Sequence, residues 1–433
     1  MAQRKTLLAT STALIGSAAV IAGLLAPSYA YADSRPASRL QHAADSVHDA
    51  GAVGVAIGLH DLRGTQEATS GVSNLTTNAP VQPDSRFRAG SLTKTFTAAV
   101  ILQLTEETNA QGKPLLSLDE PVVSVLPHLF PKDSVQLTEK KAITIRELLQ
   151  HTSGLDDAQG FTQEQVPPAG STPSEIREYL AKPTDMDRLI AGPLKGKLAF
   201  LPGSRDSQGR PNRLYSNTGY NIAGKIIEAV TGHTWSHEVT NRIIDKLGLH
   251  DTTIPDPRAK KTLPDPHAQG YEVIPGMNNP LDVTGLDRRT WVGASGQIAS
   301  TTTDIDTFYT ALLTPGRLLG AQQIKEMQDT IPETDGEPGA AYGLGLERTP
   351  LTCDAGKPET LKGYWGHTGR VLGYQTLTGT TPDRSRSVTI SINGVRPVRN
   401  ADGTINQDKS QQQFDDMVSA ATKAIDQTLC APQ

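Results

Sequence analysis

Ser91 and Lys94 stand three residues apart at the head of a helical pattern in which Phe96, Ala99, Val100, Leu102 and Leu104 recur at helical spacing. Residues i and i+3 share a helix face, so the lysine amine can reach the serine oxygen. A serine hydroxyl is a weak nucleophile until a neighbouring base takes its proton. Lysine can be that base when burial or a nearby cation lowers its pKa. The plainer reading is a serine N-cap followed by an exposed lysine. Two later clusters weigh against it. Tyr215-Ser216-Asn217 and His367-Thr368-Gly369 follow in the order expected of a three-motif serine acyl-transfer site. Tyr215 would share proton transfer with Lys94, unless it is simply a buried core tyrosine. Its unperturbed pKa of about 10 means that a phenolate there needs positive charge, from Lys94 or, at lower pH, from His367. Which of Lys94 and Tyr215 is the base stays open, because the two titrate as a coupled pair. Asn217 offers an amide to a substrate carbonyl and to Lys94, or else serves as a turn residue. Thr368 and Gly369 are expected on an edge strand, where the bare glycine lets a substrate pair backbone to backbone.

The elements that must position these residues are only partly visible. Gly54 to Leu59 reads as an early buried strand, Ser387 to Ile392 alternates like a late one, and Gln411 to Ile425 reads as a helix. Strand-rich ends around a helix-rich middle predict one sheet built from about 33–90 and 291–433, with a mostly helical region at about 91–290. Pattern alone gives a mixed α/β class. No internal repeat is visible. Two polar loops, Ser204 to Arg213 and Pro255 to Thr290, lie where they either shape access to the site or run idle in solvent.

The first 32 residues read as a secretory signal: Arg4 and Lys5, an apolar stretch from Leu7 to Leu25, then Ala30-Tyr31-Ala32 as a cleavage site. The alternative is a membrane anchor. Residues 33–433 would form the catalytic domain of a secreted protein with no stable membrane anchor. Loss of Arg4 and Lys5 takes the formal net charge from −5 to −7, which argues against a nucleic-acid partner. Cys353 and Cys430 are expected to form a disulfide in an oxidising compartment. No His-Glu-x-x-His occurs and the histidines look scattered, so no metal is expected. His151 reads as a structural residue of the Thr152-Ser153-Gly154 turn.

With these motifs in order, the chain resembles the class C β-lactamase and serine D-alanyl-D-alanine carboxypeptidase family. Phe87-Arg88-Ala89-Gly90 running into Ser91, the stretch Ile143 to Leu155, Pro202-Gly203, Tyr215 to Tyr220, Gly293-Ala294-Ser295-Gly296, Ser300 to Asp304, Tyr342-Gly343-Leu344-Gly345-Leu346 and Gly366-His367-Thr368-Gly369 carry the likeness. Histidine before Thr-Gly resembles the secreted carboxypeptidase branch. The resemblance implies an antiparallel sheet flanked by helices, an inserted helical region and a cleft between them. It implies no cofactor, a monomer, peptidoglycan stem peptides as substrates and β-lactams as inhibitors or substrates. It places the oxyanion hole on the backbone N–H groups of Ser91 and Arg370, and an aromatic wall at Trp291, for which a core tryptophan is the alternative. Relatives of that branch commonly carry an arginine just after the Tyr-Gly-Leu-Gly-Leu strand; here that position is Glu347. Arg370 is then the candidate reader of a substrate carboxylate, with Glu347 as its competitor and a plain surface arginine as the alternative. A β-lactamase or esterase on the same scaffold, and a non-catalytic penicillin-binding-like protein, are the rival functions.

Overall fold

The computed structural model describes residues 36–130, 138–157, 171–256, 258–259, 263–286, 293–333 and 338–432. The expected signal segment and Trp291 lie outside the described residues. The strands are β1 (Gly54–Asp61), β2 (Gly64–Gly71), β3 (Phe87–Arg88), β4 (Tyr271–Glu272), β5 (Leu281–Asp282), β6 (Ala299–Ser300), β7 (Ile331–Pro332), β8 (Ala341–Tyr342), β9 (Glu347–Thr349), β10 (Tyr364–Val371), β11 (Tyr374–Thr380) and β12 (Arg386–Ile392). Eight of them form one antiparallel sheet in the order β2-β1-β12-β11-β10-β9-β8-β7. The antiparallel sheet flanked by helices is the α/β architecture expected.

β1 and β12 are buried along almost their whole length because helices cover both faces of the sheet. Val55, Ile57, Ile390 and Ile392 face the terminal helices Pro36–Asp49 and Gln407–Cys430, packing with Leu40, Val47, Met417 and Ile425. On the other face Ser387 and Thr389 donate to Asp306 of the Thr302–Leu312 helix, at 3.0 and 2.7 Å. The period-2 alternation of β12 therefore separates an apolar face from a hydrogen-bonded one. Cys353 and Cys430 form the expected disulfide, which ties the end of the last helix to the segment before β10.

The helix Thr93–Glu106 has no solvent face: every residue from Thr93 to Leu104 is buried. Such a helix sits in the core, and Phe96 stacks on Phe308 with ring centroids 3.6 Å apart. Its approach is set by β3, which pairs with β6, and by Gly90 at φ +55°. A Cβ on Gly90 would lie 2.9 Å from the backbone nitrogen of Arg370, and one on Gly369 would lie 2.1 Å from the carbonyl oxygen of Ala89. These two glycines let the turn before Ser91 press directly against β10. Among the described residues no helix is long and apolar enough to cross a membrane.

Candidate active site

Ser91 sits in a single 3-10 turn, Gly90–Leu92, ahead of the buried helix, and it caps nothing. The N-cap reading therefore fails. The neighbouring lysine is fully buried rather than exposed. Lys94 Nζ lies 3.0 Å from Ser91 Oγ, 2.7 Å from Asn217 Oδ1 and 2.9 Å from the carbonyl oxygen of Ser295. Burial pulls its pKa down to about 7, against the opposing pull of the Asp157 and Glu347 carboxylates. A neutral amine fits this cage. Its two N–H groups donate to the two carbonyl oxygens, and its lone pair faces the Ser91 hydroxyl.

Asn217 is delivered by the first turn of the helix Asn217–Thr231. Ser216 caps that helix by accepting from Gly219 N. Asp157 completes the cap: it accepts from Asn217 N at 2.6 Å, Thr218 N at 3.1 Å and Ser216 Oγ at 3.0 Å. A carboxylate there also complements the positive end of the helix dipole.

Tyr215 is half-buried beside Lys94 and lines the cleft, with Lys94 Nζ 4.7 Å from its ring centroid. Burial raises its pKa well above 10, and the hydrogen bond with the Ser91 hydroxyl only partly offsets this. A phenolate is thus disfavoured.

His367 departs from expectation. Its side chain is fully buried, and burial together with the Lys94 charge pushes its pKa down to about 3. It is a neutral imidazole, not a cation that appears near pH 6.5. One backbone group fixes its tautomer. Ser216 N–H donates to His151 Nδ1 (3.1 Å), so His151 carries its proton on Nε2 and donates to Tyr342 Oη (3.2 Å). Tyr342 Oη donates to His367 Nε2 (2.9 Å), and His367 Nδ1–H donates to the carbonyl oxygen of Thr368 (2.5 Å). His151 is structural, as expected, and its ring lies 4.3 Å from that of Tyr215.

Thr368 and Gly369 lie on β10, which is interior in the strand order. β9 pairs with it only over Tyr364–Gly366, so from Thr368 onward its outer side is an edge. Val371 and Tyr374 close the two-residue turn to β11 as a hydrogen-bonded pair. By alternation the N–H groups of Gly369 face β11, while those of Thr368 and Arg370 face outward. The outward Thr368 N–H is taken: it donates to Glu347 Oε2 at 3.1 Å, and the Thr368 hydroxyl lies 3.4 Å from Glu347 Oε1.

Glu347 does not pair with Arg370. Arg370 is exposed, and its guanidinium stacks on Phe414 at 4.1 Å from the ring centroid. The cation nearest Glu347 in electrostatic effect is Arg213, the last residue of the polar 204–213 loop. Arg213 is itself held by Glu333 at 2.6 Å with both side chains buried. Burial and the nearby Glu333 charge raise the Glu347 pKa to about 8. Two cavities result. A cleft of about 440 Å³ is lined by Ser91, Tyr215, Asn217, Ser295, Gly369 and Arg370. A pocket of about 210 Å³ runs past Tyr215 and Thr368 to Glu347, Arg213 and Glu333.

The sequence reading missed Asp157, Arg213, Tyr342 and the Ser295 carbonyl. Asp157 acts on a helix that starts sixty residues later, and a backbone oxygen has no residue signature.

A family model described as Beta-lactamase matches residues 40–412. Penicillin-binding protein 4 of Amycolatopsis lactamdurans is 30% identical over 191 residues, which is 44% of this chain and 42% of that protein. Penicillin-binding protein 4* of Bacillus subtilis is 29% identical over 203 residues, 46% of this chain and 38% of that one. The aligned part thus spans about two-fifths of the length of these curated relatives. Among solved structures, a D-stereospecific amidohydrolase from Streptomyces sp. superposes with a TM-score of 0.68 at 30% identity, covering 87% of this chain and 97% of that one. The D-amino acid amidase of Ochrobactrum anthropi SV3 has a TM-score of 0.66 at 23% identity, covering 90% and 99%, and shares the fold. The family match takes in Ser91, Lys94, Tyr215, Asn217 and His367 together, and this chain belongs to the Beta-lactamase family.

Proposed function

We propose that the protein is a serine hydrolase that cleaves amide or ester bonds of D-amino-acid-derived substrates through an acyl-enzyme on Ser91. The observation that carries this reading is the cage around Lys94 Nζ, which holds a buried amine with a pKa of about 7 at 3.0 Å from Ser91 Oγ. Neutral Lys94 takes the Ser91 proton as Oγ attacks the carbonyl carbon. The outward N–H of Arg370 and that of Ser91 would stabilise the oxyanion. Tyr215, kept protonated by burial, would relay a proton to the leaving group as the bond breaks. Asn217 holds Lys94 and faces the cleft, where it can also orient a substrate carbonyl. Water then releases the acyl group.

The leaving side favours an uncharged group. The Thr368 N–H and hydroxyl, which could bind a substrate carboxylate, already contact Glu347, and Arg213 is committed to Glu333. Similarity to a protein titled a D-stereospecific amidohydrolase supports the same choice. A D-alanyl-D-alanine carboxypeptidase acting on peptidoglycan stem peptides is the second reading. It rests on likeness to penicillin-binding proteins and on Arg370, which lines the cleft. Residues 1–32 support export as a further part of this proposal.

Matched D-phenylalanine amide and D-phenylalanyl-D-alanine substrates test the reading. Higher kcat/KM on the amide, with Arg370→Ala leaving that value unchanged, is expected. A preference for the free carboxylate that disappears in Arg370→Ala would instead establish the carboxypeptidase reading.

A further inference from the structure

His233, His237 and Glu238 form a cluster on the helical layer, apart from the cleft. Their ligand atoms all lie within 4.8 Å of one another, and among the described residues no other group of three such side chains does this. Gly232 ends the helix Asn217–Thr231 in a left-handed conformation, and Thr234 caps the short helix Trp235–Val239. The chain reversal brings the ring of His233 over that of His237, with centroids 4.6 Å apart.

The three groups differ in a useful way. Both histidines are exposed, whereas Glu238 is buried. Arg242, itself held by Glu107, binds Glu238 Oε2 and leaves Oε1 turned to His233 Nδ1 at 2.8 Å. A fixed carboxylate oxygen thus faces two imidazoles that can rotate. His237 Nε2 accepts from the Asn241 side-chain amide at 2.7 Å, so its lone pair is held by Asn241 and is freed for a metal by displacing that amide. Glu228, paired with Lys225, accepts from Trp235 N and holds the start of the short helix.

We propose that His233, His237 and Glu238 bind a divalent transition metal, with Zn²⁺ the best-matched ion, leaving a fourth position for water. Two imidazoles and one carboxylate suit Zn²⁺ and not Mg²⁺. The Arg242 contact to the second carboxylate oxygen orients the ligand from behind. Binding replaces the proton between His233 and Glu238, displaces the Asn241 amide from His237 and draws the exposed rings in to reach Zn–N bonds of about 2.0–2.1 Å. The metal would clip the turn at Gly232 to the next helix. That helix is already joined to the buried Thr93–Glu106 helix by Trp235 Nε1 donating to Thr97 Oγ1 at 2.9 Å.

Calorimetric titration of the untagged protein with ZnCl2, with MgCl2 as the control, tests the site. One saturable Zn²⁺ per chain is expected, weakened at least about tenfold by His233→Ala or by His237→Ala. Tm should rise with Zn²⁺ in the wild type and not in the double variant. Neither histidine touches the cleft, so the variants should fold with unchanged circular dichroism. Absence of saturable Zn²⁺ heat, or an affinity that survives the double substitution, overturns the proposal. Unchanged affinity in a folded Glu238→Gln variant would remove the third ligand and overturn the assignment as stated.

Discussion

At the scale of single residues, catalysis depends on where protons reside. Burial lowers Lys94 to about 7 and raises Tyr215 well above 10, so the amine, not the phenol, is the group that loses its proton near neutrality. Acylation should therefore increase as pH rises through about 7, because the deprotonated amine is the base. Lys94→Arg keeps the charge but cannot deprotonate, and should slow acylation by about 10³-fold. Stopped-flow acylation rates between pH 5 and 9 check both. His367, lowered to about 3, should add no limb near 6.5, and His367→Gln should leave the position of the rise unchanged. The residue types Ser91, Lys94, Tyr215 and Asn217 were legible in sequence because their chemistry demands those side chains at those spacings. The electrostatic role expected of His367 was not. Its ionisation is set by burial and by the Lys94 charge, which no local spacing records.

At the scale of elements, the site hangs on the ends of secondary structure. The first turn of the helix Asn217–Thr231 is held by Asp157 through two backbone N–H groups and the Ser216 hydroxyl. Asp157→Ala should cost about 1–2 kcal/mol of stability, the typical value of a lost cap. It should also lower kcat more than its stability cost implies, because Asn217 then loosens its hold on Lys94. Urea denaturation and kinetics on the same samples separate the two effects. Strands β1 and β12 and the last helix could be read from apolar runs and periodicity. The edge at Thr368 and Gly369 was expected too, but not the interior place of β10 in the strand order. The edge begins there because β9 pairs with only the first residues of β10. The polar 204–213 loop proved structural as well as local: its last residue, Arg213, is buried against Glu333. The sequence alone leaves open whether that loop shapes access to the site or runs idle in solvent.

At the scale of the whole molecule, the sheet joins strands from both ends of the chain, with the terminal helices packed on one of its faces. The Cys353–Cys430 bond fastens that closure across 77 residues of chain. Replacing both cysteines by serine should lower stability by roughly 4 kcal/mol in the chain-entropy model. The cleft and its acylation rate should be nearly unchanged, since neither sulfur lies near Ser91; thermal melts beside acylation rates would show it. The antiparallel sheet was legible because its motifs resembled a family with that fold. The depth of burial around Lys94 was not, because it is created by the convergence of Asn217, Ser295 and the sheet edge from distant parts of the chain.

The central claim is that buried, neutral Lys94 activates Ser91. Peptide mapping of the covalent adduct formed with a penicillin or an activated D-amino-acid ester, quenched at a series of pH values, tests it most directly. The adduct should fall on the peptide containing Ser91, its rate of formation should rise through about pH 7, and Ser91→Ala should abolish it. An adduct on another peptide, or a rate on Ser91 that stays flat from pH 5 to 9, would contradict the account.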